Sequence, residues 1–109
     1  MVFLKKKQKI DGDHKILIVY GEVIGIFDVW EFGKVIEKLN LERGIAIVKK
    51  NPTQKVFEEA EKNRVEIMVS ENPKEYAQQL KRKLEKPDLK IGVRKLEEVA
   101  DRSIMQDPC

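Results

Sequence analysis

The chain has 109 residues, a formal net charge of +3, 38% charged and only 6% aromatic residues, and a single cysteine, Cys109, at its last position. That length suits one domain burying roughly two thirds of the surface its unfolded chain exposes, and a lone cysteine excludes an intrachain disulfide and fits a reducing compartment. No apolar run approaches the ~20 residues of a membrane span and the Lys-rich start lacks a signal-peptide apolar core, so no membrane association and a cytoplasmic location are expected.

The Lys- and Glu-rich balance points to a thermophilic source, because ion-pair networks cost less as temperature rises. Val2 to Ile10 reads as a strand with a solvated second half, and Asp11-Gly12-Asp13 as a tight turn into a second arm, Lys15 to Tyr20. That arm carries the run Ile16-Leu17-Ile18-Val19 and is expected to be a central strand. Gly21-Glu22 turns the chain, and Asp28 is expected to cap a helix whose face is Val29, Phe32, Val35, Ile36 and Leu39. Trp30 lies off that stripe, as a packing residue or as a contact aromatic.

Gly44 to Ser70 is the most regular part of the chain and reads as strand, helix, strand. Ile45 to Val48 is an unbroken apolar run, the pattern of a parallel strand covered on both faces. Asn51 and Pro52, with Gln54 as capping-box partner, are expected to open a helix that packs through Val56, Phe57 and Ala60. Val65, Ile67 and Val69 then alternate with Glu66 and Met68 as a strand with one face less buried. Val48 to Pro52 is echoed by Val69 to Pro73, which suggests two strand-to-helix turns built alike. A helix from Pro73 to about Lys86 follows, with Tyr76, Ala77, Leu80 and Leu84 inward. A short strand over Leu89 to Val93 and a terminal helix from Lys95 to about Met105 complete the reading. The whole is an α/β domain: an N-terminal β-hairpin followed by βαβα units, forming a mixed, mostly parallel sheet flanked by helices.

Positive charge clusters at Lys5, Lys6, Lys7 and Lys9, and again at Lys81, Arg82 and Lys83 near a helix end, where cations also complement the helix dipole. Lys49 and Lys50 precede a helix start and can hold a phosphate there. In open α/β sheets ligands gather beyond the carboxyl ends of the strands, which here carry Tyr20-Gly21-Glu22, Lys49-Lys50-Asn51 and Ser70-Glu71-Asn72. His14 is the only histidine, and there is no cysteine pair, Gly-rich phosphate loop or nucleophile with a base nearby, so no catalytic residue, metal or cofactor is assigned.

Asp11-Gly12-Asp13, Val23-Ile24-Gly25-Ile26 with Asp28-Val29, Arg43-Gly44-Ile45, Thr53, Ala60 and Val65-Glu66-Ile67 together resemble the Mrr-like branch of the restriction-endonuclease-like fold. The resemblance covers Asp11 to Met68, about half the chain. It implies a Mg²⁺-dependent nuclease scaffold with an acid on the first hairpin arm, a Glu or Gln and a Lys on the second, and a leading helix. The matching places hold about Lys5, then Ile18 and Tyr20, and the chain begins at the hairpin. An isoleucine cannot ligate Mg²⁺ and a lysine would repel it, so the resemblance implies a scaffold without its chemistry, with Glu22 the one nearby carboxylate able to take a metal role.

Three functions follow as expectations. The first is a catalytically inactive nuclease-fold protein that binds nucleic acid, or a nucleic-acid-processing partner, through Lys5, Lys6, Lys7, Lys9, Lys49, Lys50, Lys81, Arg82 and Lys83. The second is a structural or regulatory homodimer in which Phe27 and Trp30 lie in an interface. The third is a small phosphate-ligand-binding domain of flavodoxin type, using Lys49, Lys50 and Ser70 at the strand ends.

Overall fold

A computed structural model describes residues 14–100. Four strands, β1 (His14–Gly21), β2 (Arg43–Val48), β3 (Val65–Val69) and β4 (Lys90–Lys95), alternate with the helices α1 (Ile26–Lys38), α2 (Gln54–Lys62), α3 (Pro73–Leu84) and α4 (Leu96–Ala100). The sheet order is β3-β2-β1-β4, and every pairing is parallel. The expected α/β architecture, a sheet flanked by helices, is therefore present, and its four described strands are all parallel. The hairpin arm expected over residues 2–10 lies outside the described residues. β1 is paired from Ile16 to Tyr20 with both β2 and β4, which leaves it no free edge along that stretch.

The two-sided apolar runs follow from this layering. Leu17 and Val19 of β1, with Ala46 and Val48 of β2, meet Val29, Phe32, Ile36, Val56, Ala60 and Leu96 on the face covered by α1, α2 and α4. Ile16, Ile18, Ile45, Ile47 and Ile91 meet Ala77 on the opposite face, under α3. A strand buried on both faces has no solvated side to alternate toward, which is why Ile16 to Val19 and Ile45 to Val48 are unbroken. The helices change faces because right-handed crossovers step from β1 outward to β2 and β3, and α3 then carries the chain back across to the far side of β1. Gly44 is required by this packing: a Cβ there would collide with Ile36 Cδ1 and come within 3.1 Å of the Phe32 ring.

Several local expectations are corrected. Asp28 is not the cap of α1 but its third helical residue; the cap is Gly25, whose N–H donates to Asp28 Oδ2 at 2.8 Å. The acid thus supplies the reaching-back half of a capping box, and it does so while buried. Asn51-Pro52 does not open α2. Thr53 caps it, its hydroxyl accepting from the Val56 N–H at 3.4 Å, so the second good cap residue in the segment wins over the first. Asn72-Pro73 does open α3, with Pro73 in its first turn, although Asn72 makes no side-chain cap bond. The two Asn-Pro turns are therefore alike in sequence and different in structure.

Phe57 and Tyr76, expected inward, are exposed, while Val56, Ala60 and Ala77 fill the inward positions. β4 runs over Lys90–Lys95, one to two residues later than expected, and α4 begins directly at Leu96. α1 closes with the Asn40 N–H donating to the Glu37 carbonyl and the Leu41 N–H to the Ile36 carbonyl, around Asn40 at φ 56°. That is a Schellman closure, with buried Leu41 and Ile36 as its apolar contact.

Candidate functional site

Right-handed crossovers that reverse direction leave a sheet whose ligand-accessible rim is the carboxyl end of its strands. In this chain that rim is assembled by backbone hydrogen bonds between loops. The Glu22 carbonyl accepts from the Lys49 N–H at 3.1 Å and the Lys50 N–H at 2.9 Å, so the segment after β1 and the segment after β2 are held together. The Ser70 N–H donates to the Val48 carbonyl at 2.9 Å, extending the β2–β3 ladder, and Ser70 Oγ accepts from the Asn72 N–H at 3.2 Å, which turns the chain into α3. Glu22, Lys49 and the first turn of α3 are thereby brought to one place by main chain, not by side-chain pairing.

They enclose an open cleft of about 600 Å³. Its cations are Lys49, Lys74 and Arg82, its carboxylates Glu22, Glu71 and Glu75, and its amides Asn72, Gln78 and Gln79. Positions 74, 78 and 82 are each four residues apart on α3, and therefore rise along one side of the helix over about 12 Å. The charges balance. All six ionic side chains are exposed, and none is in an ion pair or a side-chain hydrogen bond; the ion pairs among the described residues are Lys34–Glu31, Arg43–Glu66, Lys62–Glu59 and Lys81–Glu85.

The residues expected to bind are divided by the structure. Lys49 and Arg82, from different clusters, line the same cleft. Lys50 is exposed beside Lys49 without lining it, Lys83 is exposed on α3, and Lys81 is held by Glu85 at 3.2 Å. Lys5, Lys6, Lys7 and Lys9 lie outside the described residues. Glu22 lines the cleft as well, but among the described residues no three His, Cys, Asp or Glu side chains group as a metal site. Ile18 is fully buried and Tyr20 is partly buried on the α3 face, so the two positions that the nuclease resemblance singles out serve the core. Sequence reading assigned no binding role to Lys74, Glu75, Gln78 or Gln79. Their signal was available in the spacing along α3, but only the return of α3 over β1 tells which side of that helix meets the cleft.

Electrostatics elsewhere serves packing. The Arg43 guanidinium donates through Nε and one terminal nitrogen, both at 2.8 Å, to the two oxygens of Glu66 on the neighbouring strand. This forked bond holds Glu66 below the usual carboxylate range and raises Arg43. Trp30 donates its indole N–H to Glu59 at 3.0 Å, which lowers the Glu59 pKa and ties α1 to α2. Phe27 stands edge-on to Trp30 at 5.4 Å, and both rings are exposed.

The doubly wound sheet, with its polar cleft at the strand ends, defines an α/β domain with a candidate ligand rim. No protein-family model, curated protein or solved structure matches the chain. Among the described residues no helix is long and apolar enough to cross a membrane.

Proposed function

We propose that this chain is a small-ligand-binding domain whose site is the cleft at the carboxyl ends of β1, β2 and β3, taking a compact molecule that carries a phosphate. The observation that carries this reading is the convergence of Lys49, directly after β2, with Lys74 and Arg82, on α3, on one cleft with six further polar side chains. A few fixed polar groups around a concavity are what orients a small molecule.

Nucleic-acid binding, expected from the basic clusters, fits the cleft less well. Backbone recognition draws on accumulated positive charge, whereas three carboxylates here offset three cations and would repel successive phosphates. The strand order also differs from the flavodoxin order, so the reading rests on the general rule for open sheets and not on that fold. The restriction-endonuclease-like scaffold remains a sequence resemblance to which the cleft adds no support.

The test is a thermal-shift screen with nucleoside monophosphates and alkyl phosphates. A probe at about ten times its Kd adds about 1.4 kcal/mol, which raises Tm by roughly 5–10 °C in a domain of this size. That rise should vanish in Lys49→Ala and Arg82→Ala. Absence of a rise with every probe, or tighter binding of DNA than of any mononucleotide in a mobility shift, contradicts the proposal.

The exposed Phe27–Trp30 pair favours a second reading, homodimerisation through α1. Light scattering should then report a dimer that Phe27→Ser dissociates; a monomer across the micromolar range removes this reading.

A further inference from the structure

We infer that the cleft's ligand is dipolar, combining an anionic phosphate with an amino group in one molecule; this rests on the small-ligand reading above. The argument starts from unmatched charge. The ion pairs among the described residues, the forked Arg43–Glu66 bond and the one-turn pairs Lys34–Glu31, Lys62–Glu59 and Lys81–Glu85, include no residue of the cleft. Around the cleft, three cations and three carboxylates share one concavity with no ion pair among them.

A purely anionic ligand would meet as much repulsion as attraction there. Drawn to Lys49, Lys74 and Arg82, it would also have to lie against Glu22, Glu71 and Glu75. A purely cationic ligand meets the converse problem. A molecule with a phosphate at one end and an amine at the other lets each sign find its opposite. An ammonium ion-pairs with a carboxylate, and an exocyclic amine donates to it in a charge-assisted hydrogen bond. The amides of Asn72, Gln78 and Gln79 both donate and accept, so they serve either end without fixing its sign.

Two sources supply that chemistry, an aminonucleotide and an aliphatic aminophosphate, and matched probes separate them. Isothermal titration would compare AMP with IMP, in which a carbonyl replaces the amine, and phosphoethanolamine with ethyl phosphate, which lacks the ammonium. The expected result is that in one pair the amine-bearing member binds on the order of tenfold more tightly. In that pair, Glu22→Gln combined with Glu71→Gln should bring the two affinities to within about twofold, while Arg82→Ala should weaken both members alike. Equal affinities within both pairs, or tighter binding of the amine-free members, overturn the dipolar ligand while leaving a phosphate site intact. No binding of any of the four overturns this inference together with the reading beneath it.

Discussion

The two ends of the sheet treat charge in opposite ways. At the amino end, Arg43 and Glu66 meet in a forked bond across β2 and β3, and the incoming turns are closed by residues in left-handed conformation, Asn40 at φ 56° and Arg64 at φ 65°. At the carboxyl end, backbone hydrogen bonds do the closing, and the six ionic side chains around the cleft stay apart. At the first end the Arg43–Glu66 pair is matched within the fold. The six around the cleft form no ion pair among the described residues, and the segments after β1 and β2 are joined by main-chain bonds without them.

Substitutions in the core and at the amino end should therefore change stability, and those at the cleft should change it little. The largest effect is expected from Phe32→Ala, since this fully buried ring packs in the core shared by α1 and the sheet; urea unfolding should show a loss of about 3–5 kcal/mol. Gly44→Ala should cost about 1–3 kcal/mol, because the new methyl has no room beside Ile36 and Phe32. Arg64→Gly should act in the opposite sense and stabilise by up to about 1 kcal/mol, as glycine relieves the left-handed strain at the end of α2.

The amino-end ion pair should have a smaller effect. Its side chains are 39% and 42% exposed, so solvent screening limits the pair to about 1 kcal/mol or less. Glu66 has its pKa lowered in the fold, chiefly by the bond from Arg43. Its contribution is thus present above the unfolded value near ~4.3 and is lost as pH falls through the lower folded value. Comparing wild type with Glu66→Gln should show a stability difference at neutral pH that closes as the pH is taken below about 4. Lys49→Ala and Arg82→Ala should be nearest to neutral, within about 0.5 kcal/mol in unfolding, and should sharpen the contrast by acting on ligand binding alone.

Much of this architecture was legible from local pattern. The runs Ile16 to Val19 and Ile45 to Val48 announced strands covered on both faces, and Val29, Phe32 and Ile36 announced the buried stripe of α1. Cap positions were less legible, because Asn51 and Thr53 are both competent caps, and Asp28 stabilises a helix start equally well from inside the first turn. Strand order was not legible. Nothing in the residues around β4 says that it returns to the far side of β1, and without that return the side of α3 bearing Lys74, Gln78 and Arg82 cannot be joined to Glu22 and Lys49. The individual strand ends were readable in sequence, but the cleft they form depends on that long-range pairing.

The most direct test of the central claim is amide chemical-shift mapping of the isotopically labelled protein titrated with AMP and phosphoethanolamine. Saturable shifts confined to Gly21–Glu22, Lys49–Lys50 and the stretch from Ser70 to Arg82, and absent in Arg82→Ala, are the predicted result. Shifts centred on Phe27 and Trp30, or none at millimolar probe, would contradict it.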